Sequence, residues 1–157
     1  MKVYVLKYWH WNDSSTHGVF TEEAMHQKRM EFAKKQKEDN IPAIEAMQKT
    51  IAEKDVKRKE FIRQAEIEIL PHQKLAKESG NKQLEKIFKK TRKSLLKQAE
   101  TLNWQQKKLQ WDIDELEAMN EEQLADYFMS KNHLYFYDYD LIENVLEGDW
   151  EWNLTSY

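Results

Sequence analysis

Apolar and polar residues follow two different periods along this chain. Residues 2–9 alternate with a period of two and are rich in Val and Tyr, which predicts a β-strand. The next segment, NDSSTHG at 12–18, has turn composition, and GVF at 18–20 predicts a second short strand. HLYFYDYD at 133–140 alternates again and predicts a strand with one aromatic face. The two ends of the chain are therefore expected to form strands.

The residues between these ends have helical periodicity. Thr21 is expected to cap a helix that runs to about residue 38 and ends before Pro42, because proline disfavours helical backbone at the residue before it. From Pro42 to Met119 apolar residues recur every three or four positions, interrupted at Gly80 and Asn81. This pattern predicts two antiparallel helices, and Pro71 is expected to kink or interrupt the first of them.

Each arm of this predicted helical hairpin has a mixed apolar and polar seam. The first seam is expected to contain Ile44, Met47, Asp55, Arg58, Ala65 and Ile69, among others. The second is expected to contain Leu84, Phe88, Thr91, Leu95, Gln98, Leu102, Gln105 and Leu109. A last short helix near 121–131 begins with Asn120 and Gln123, which resemble a capping box.

Two strands alone are not stable in water, whereas three strands backed by a helix can be. We therefore predict a mostly helical α+β fold in which the chain ends form one small antiparallel sheet. The helices at 21–38 and 121–131 are expected to cover this sheet. The predicted domains are a core of residues 1–40 plus 119–157 and an inserted helical hairpin of residues 41–118.

Charge is distributed in blocks, although the net charge is only −3. Residues 57–108 hold 15 basic and 6 acidic residues, whereas residues 109–157 hold 1 basic and 13 acidic residues. The chain has no cysteine, which excludes disulfides and thiolate metal sites. No apolar stretch approaches the ~20 residues that span a bilayer, and no signal-peptide cleavage site follows the N-terminal strand. We expect a cytoplasmic protein without a membrane partner.

The ends of the chain resemble a known group of proteins. MKVYVL leading to WHWND, then GVF, TEEA and the closing YFYDYDL look like small uncharacterised phage and prophage proteins. The resemblance covers roughly residues 1–30 and 133–152 and implies a β-hairpin, a helix and a closing strand. It implies no activity and no site residues. It suggests a phage-like origin, a setting in which small proteins often bind host machinery, in the host cytoplasm.

Aromatic residues are the strongest candidates for a binding surface, because Trp and Tyr anchor many protein interfaces. Trp9 and Trp11 are expected to share one strand face, as are Trp150 and Trp152 if that segment is extended. The predicted partner-binding residues are Trp9, Trp11, Tyr135, Tyr137, Tyr139, Trp150 and Trp152. The acidic C-terminal block is expected to contribute. The leading hypothesis is a non-enzymatic interaction protein that binds, and inhibits, a host protein or defence complex.

Two other functions stay open. Lysines spaced three or four apart would form one basic face that follows a phosphate backbone; they are Lys82, Lys86, Lys89, Lys93 and Lys97. The alternative is that this face is an ordinary solvated helix surface. The polar seam positions could instead set register between copies of a coiled-coil oligomer. We expect no catalytic residues, no cofactor and no metal, with His10, His17 and Asp13 having structural roles.

Overall fold

The computed structural model describes residues 1–140. Helices make up 75% of the structure. In chain order the elements are β1 Lys2–His10, β2 Asp13–Phe20, α1 Glu22–Arg63, a π-helical segment Gln64–Ile69, α2 Leu70–Glu78, α3 Lys82–Ala118, α4 Glu121–Lys131 and β3 Leu134–Asp140. The chain divides into two compact units. One is Met1–Ile41 with the chain from Met119 onward, and the other is Pro42–Ala118.

The two ends of the chain form one antiparallel sheet, as predicted. Within residues 1–140 the sheet has three strands in the order β2, β1, β3. In the central strand, Val5 lies between Val19 of β2 and Tyr137 of β3. Its neighbour Leu6 lies between Gly18 and Phe136. Because directly opposite side chains share a face, this register decides which aromatic rings point away from the core.

The turn between β1 and β2 is shorter than the sequence suggests. NDSSTHG was expected to be turn, but β2 begins at Asp13, and only Trp11 and Asn12 connect the strands. Polar side chains are tolerated along β2 because it is an edge strand with largely exposed side chains. The pairing register shifts by one residue between Leu6 and Lys7 of β1, because Leu6 is opposite Gly18 and Lys7 is opposite Thr16. Gly18 has a φ of 155°, and a Cβ there would lie 2.9 Å from the Phe20 ring, so any other residue would displace this ring.

The inner face of the sheet packs against two helices, as predicted. Leu6 of β1, Phe32 of α1 and Met129 of α4 form a buried cluster. The Phe32 and Phe128 rings stack with centroids 5.0 Å apart. Four partly buried side chains complete this core: Phe20, Phe128, Leu134 and Phe136. A second cluster, of Ala33, Leu124 and Ala125, joins α1 to α4.

The predicted end of the first helix is wrong, because α1 continues through Pro42 to Arg63. An internal proline costs about 3 kcal/mol, since it removes one backbone hydrogen bond and crowds the preceding turn. Long hydrogen-bonded stretches on both sides offset that cost. The turn before Pro42 also has a buried side-chain bond, in which Gln36 Nε2 donates to Asn40 Oδ1 over 2.7 Å.

The helical caps agree with the sequence analysis. The backbone N–H of Ala24 donates to Thr21 Oγ1, and that of Leu84 donates to Asn81 Oδ1. Asn120 and Gln123 form both bonds of a capping box. Gly80 has a φ of 71°, the left-handed conformation that ends a helix.

Pro71 interrupts the α-helical hydrogen bonding without breaking the helical path. The segment Gln64–Ile69 is π-helical, and Pro71 lies in the first turn of α2. The backbone N–H of Leu70 donates to the carbonyl of Ala65, five residues back. Pro71 has no N–H to donate, and the first turn of a helix tolerates proline because the N–H groups there lack partners in that helix. The predicted interruption is confirmed as a π-helical segment.

The second unit is an antiparallel helical hairpin. Lys54 Nζ donates to Gln105 Oε1, Gln106 Nε2 donates to the carbonyl of Ile51, and Arg92 pairs with Glu66. In these pairs, a residue further before the turn at Gly80 contacts a residue further after it, as antiparallel arms require. Small side chains line the contact, with Ala65, Ala76 and Ala99 all buried.

The predicted seam of α3 is partly wrong. Phe88, Leu95, Leu102 and Leu109 are half-buried, as expected. Arg92 and Ala99 take the seam positions predicted for Thr91 and Gln98, whereas Gln105 and its neighbour Gln106 both bond across the hairpin. Where two neighbouring positions are both polar, such as Thr91 and Arg92, the spacing of apolar residues does not decide which of them faces the other arm.

No helix in the described part of the chain combines the length and apolar character needed to cross a membrane.

Candidate interaction surfaces

The aromatic side chains of β3 lie on the outer face of the sheet, away from the α1–α4 core. Tyr135, Tyr137 and Tyr139 are opposite Lys7, Val5 and Val3 of β1, whereas Phe136 is opposite the core residue Leu6. Trp9 follows the same alternation along β1, and Val19 of β2 is opposite Val5. We call this surface the outer aromatic face; it consists of Trp9, Val19, Tyr135, Tyr137 and Tyr139.

Much of the outer aromatic face is accessible to solvent. The exposed fractions are 53% for Trp9, 45% for Val19, 41% for Tyr135 and 40% for Tyr137. Val3 and Val5, which lie on this face of the central strand, are buried. The ammonium group of Lys7 lies 5.5 Å from the centre of the Tyr137 ring. The surface therefore has a dry aliphatic centre surrounded by amphipathic rings.

Trp11 does not share the strand face of Trp9, which corrects the prediction for this pair. It lies in the two-residue turn, is 83% exposed and has a φ of 53°. A bulky residue in the left-handed region is strained by roughly 1–2 kcal/mol. Because His10 pairs with Asp13, Trp11 and Asn12 are left as the two residues of the turn. Trp150 and Trp152, the other predicted pair, lie outside the described residues.

A cluster of rings occupies the end of the sheet near this turn. The imidazoles of His10 and His133 have centroids 4.4 Å apart, and Tyr8 contacts both His17 and His133 edge-on or nearly so. Trp11 packs its ring edge-on against His10. His133 is not predictable as a member of this cluster from the sequence, since only the pairing of β3 with β1 brings it here. Its signal was its place directly before the strand.

This ring cluster does not form a metal site by the geometry of its donors. Among residues 1–140, no group of three or more His, Asp or Glu side chains converges to hold a metal ion. His17 Nε2 lies 3.0 Å from Ser15 Oγ, and His10 stacks on another imidazole. The structure thus gives the histidines packing and hydrogen-bonding contacts.

An open pocket of about 300 Å³ adjoins the outer aromatic face at Tyr135. Its polar wall is the ion pair between Arg29 and Asp126, and its apolar wall includes Met129 and Phe136. The Arg29 guanidinium also donates to Met129 Sδ. A partner side chain entering this pocket would meet both apolar surface and a fixed charge pair.

Among residues 1–140, two carboxylates of the acidic block are paired with cations from the N-terminal part of the chain. Asp138 pairs with Lys2 over 3.5 Å, and this contact raises the pKa of Lys2. Asp126 pairs with Arg29, and Asp39 of α1 pairs with Lys131. The other acidic side chains of the block at 112–122, and Asp140, are exposed. Glu143, Glu147, Asp149 and Glu151 lie outside the described residues.

Charges on the first arm of the hairpin are also paired. Asp55 accepts hydrogen bonds from Lys59 and Arg58, which hold its pKa well below the usual range. Arg63 binds Glu60 and Glu68, and the Arg63 contact lowers the pKa of Glu60 to about 2. The five lysines of the predicted basic face are exposed on α3, and they differ from the charges of the first arm because none has an ion-pair partner among residues 1–140.

The polar residues proposed to set oligomer register have partners within their own chain. Gln105 accepts a hydrogen bond from Lys54, across the hairpin. The Thr91 hydroxyl donates to the carbonyl of Ile87, and Gln98 donates to Ser94 on the same helix. Gln105 thus stabilises pairing of the two arms, and oligomerisation through α3 stays a prediction.

A comparison of the chain with protein-family models, curated proteins and solved structures finds no match in any of the three. The resemblance to phage proteins therefore stays a prediction, and the surfaces themselves carry the functional argument.

Proposed function

We propose that the protein is a non-enzymatic binding protein that recognises another protein through its outer aromatic face. The observation that carries this proposal is the exposure of Trp9, Tyr135 and Tyr137 on one face of a sheet whose other face is packed. Tyr and Trp contribute large contact areas at low cost in conformational entropy. A partner that covers these rings removes them from water, which favours association.

The arrangement of this face matches the organisation of strong protein interfaces. Such interfaces place a few aromatic anchors near the centre and exclude water with a surrounding ring of contacts. Val3 and Val5 are already buried at the centre, and the rings stand on a hydrogen-bonded sheet. Rings held on a sheet lose little freedom on binding. The pocket beside Tyr135 offers a place for one projecting side chain of the partner.

The class of partner is proposed from the sequence resemblance alone. The resemblance to phage proteins favours a host protein as partner and inhibition as the consequence of binding. The acidic contribution expected for this surface includes residues 143–151, which the structure does not describe. Aromatic contacts are therefore the part of the proposal that the described residues support.

The experiment is affinity capture with matched variants of the full chain. The test variant is Trp9→Thr with Tyr137→Thr, because threonine suits a strand. The control is Trp104→Ala with Trp111→Ala, which removes two exposed rings from α3. The lysate is treated with nuclease, so that nucleic acid cannot bridge the chain to a captured protein. Each protein is immobilised, and retained proteins are identified by mass spectrometry. A partner retained by the wild type is then purified for calorimetry.

We expect one partner to bind the wild type and the α3 control equally and to bind the sheet variant at least tenfold more weakly. Equal binding to all three proteins would contradict the proposal, as would loss confined to the α3 control. The circular dichroism spectra of both variants must match the wild type, because the comparison requires intact folds.

A further inference from the structure

The outer side of α3 has a line of uncompensated positive charge. We call it the basic stripe; it consists of Lys82, Lys86, Lys89, Lys93 and Lys97, all exposed. Steps of three or four residues keep the five side chains on one helical face. None of these ammonium groups has an ion-pair partner among residues 1–140, whereas acidic residues on the first arm are paired with neighbouring cations. Residues 82–108 hold nine basic and two acidic residues.

Two exposed tryptophans continue this stripe along the same helix. Trp104 is seven residues beyond Lys97, and Trp111 is seven beyond Trp104, so all three lie in one row. The rings are 59% and 66% exposed. They lie on the side of α3 away from Ala99 and Ile113, which are buried in the hairpin. The ammonium group of Lys108 lies 5.7 Å from the centre of the Trp104 ring.

We infer that this face of α3 binds single-stranded nucleic acid. Lysines attract the phosphates and release their condensed counterions, whereas exposed indoles stack on unpaired bases. A duplex offers the phosphates but keeps its base faces stacked on each other. The combination of a cation row with two rings in the same line therefore favours a single strand. From Lys82 to Trp111 the binding line is about 44 Å long at 1.5 Å per residue.

The size of the expected effects follows from the number of groups. For a single strand, each neutralised phosphate contributes about −0.7 to the slope of log K against log salt, so five lysines give a slope of about −3.5. Base stacking contributes on the order of 1–3 kcal/mol per base, so loss of one ring weakens binding roughly tenfold. This site is separate from the outer aromatic face, and its success or failure leaves the proposed function untouched.

The test uses the full chain and the fluorescence anisotropy of a labelled oligothymidine between about 50 and about 200 mM salt. One variant replaces Lys86, Lys89, Lys93 and Lys97 with Gln. Its control replaces four exposed lysines of α1 that have no ion-pair partner within residues 1–140 with Gln, namely Lys34, Lys35, Lys37 and Lys49. The two variants lose the same charge, so a difference between them reports position. A third variant is Trp104→Ala with Trp111→Ala.

We expect salt-dependent binding of the wild type and of the α1 control. The α3 lysine variant should lose most of the slope, and the tryptophan variant should bind at least tenfold more weakly. A duplex of matched length should bind more weakly than the single strand and be insensitive to the tryptophan variant. Absence of binding at about 50 mM salt would overturn the inference. Equal loss in the two lysine variants, or binding only to vesicles of anionic lipid, would also overturn it.

Discussion

The sheet unit and the helical hairpin use their large side chains differently. In the sheet unit, aromatic rings such as Phe32 and Phe128 fill the interior, and a second set of rings lies on the outer aromatic face. In the hairpin, Ile113 and three alanines are buried, leucines such as Leu95 are only half-buried, polar pairs join the arms, and Trp104 and Trp111 are exposed. Two helices can bury only one side of each arm. The sheet unit therefore depends on apolar packing, and the hairpin depends more on close approach and polar contacts.

The largest expected effect is loss of the aromatic core in the sheet unit. Phe32 is 4% exposed and stacks on Phe128, so Phe32→Ala leaves a cavity and should cost roughly 3–5 kcal/mol of unfolding free energy. Urea denaturation followed by near-ultraviolet circular dichroism measures this loss. Trp111→Ala, which removes an exposed ring of the hairpin, should change the stability by less than about 0.5 kcal/mol. Similar losses for both variants would contradict the comparison.

Close approach of the hairpin arms is tested by enlarging a buried alanine. Ala65 is fully buried in the π-helical segment, so Ala65→Leu should cost about 1–3 kcal/mol by overpacking. Hydrogen exchange measured by mass spectrometry should then show faster exchange in residues 42–118. Ala52→Leu, on an exposed position of the same arm, serves as the control. Unchanged exchange in Ala65→Leu would show that the arms are not closely packed there.

Polar contacts of the hairpin predict a smaller effect, in acid. The pKa of Glu60 is lowered from 4.5 to about 2 by hydrogen bonds from Arg63 and Gln64. Since unfolding restores the ordinary pKa, the unfolded chain takes up a proton first. The stabilisation is complete above pH 4.5 and is lost as the pH falls toward about 2. Asp55 acts in the same direction, because Lys59 and Arg58 lower its pKa.

Thermal unfolding at a series of acidic pH values measures this dependence. Asp55→Asn with Glu60→Gln should flatten the decline in melting temperature between about pH 4.5 and about pH 2. Glu53→Gln removes an exposed carboxylate without an ion-pair partner in the described chain and should leave the decline as it is. A decline that is the same in all three proteins would assign the acid sensitivity to other groups.

The smallest expected effect concerns the strained turn of the sheet unit. Trp11→Gly removes a bulky side chain from a φ of 53° and should raise stability by about 1 kcal/mol or less. Glycine's greater freedom in the unfolded chain offsets part of the gain. Thermal unfolding at neutral pH measures the change. A clear loss of stability would show that the contact of Trp11 with His10 outweighs the backbone strain.

The sequence predicted those parts of the fold that depend on local periodicity and capping. Alternation in residues 2–9 and 134–140 indicated the strands, and Gly80 and Asn81 indicated the turn of the hairpin. The pairing of both chain ends in one sheet followed from the instability of two isolated strands. Pro42 was misjudged because its local cost is small beside the gain from a continuous helix of 42 residues.

The surfaces were harder to predict because they depend on register. The sequence alone could not place Trp11 in the turn, since this depends on the pairing of His10 with Asp13. It could not bring His133 onto His10, because these residues are distant in the chain. The seven-residue spacing of Trp104 and Trp111 places both on one face of a helix, but their exposure in line with the lysines depends on which side of α3 packs.

The central claim is that the outer aromatic face is the surface that binds a protein partner. The most direct measurement is the affinity of the captured partner for the wild type, for Trp9→Thr with Tyr137→Thr, and for Trp104→Ala with Trp111→Ala. The account predicts at least tenfold weaker binding for the sheet variant and unchanged binding for the α3 variant. A partner that binds the sheet variant as tightly as the wild type would contradict it.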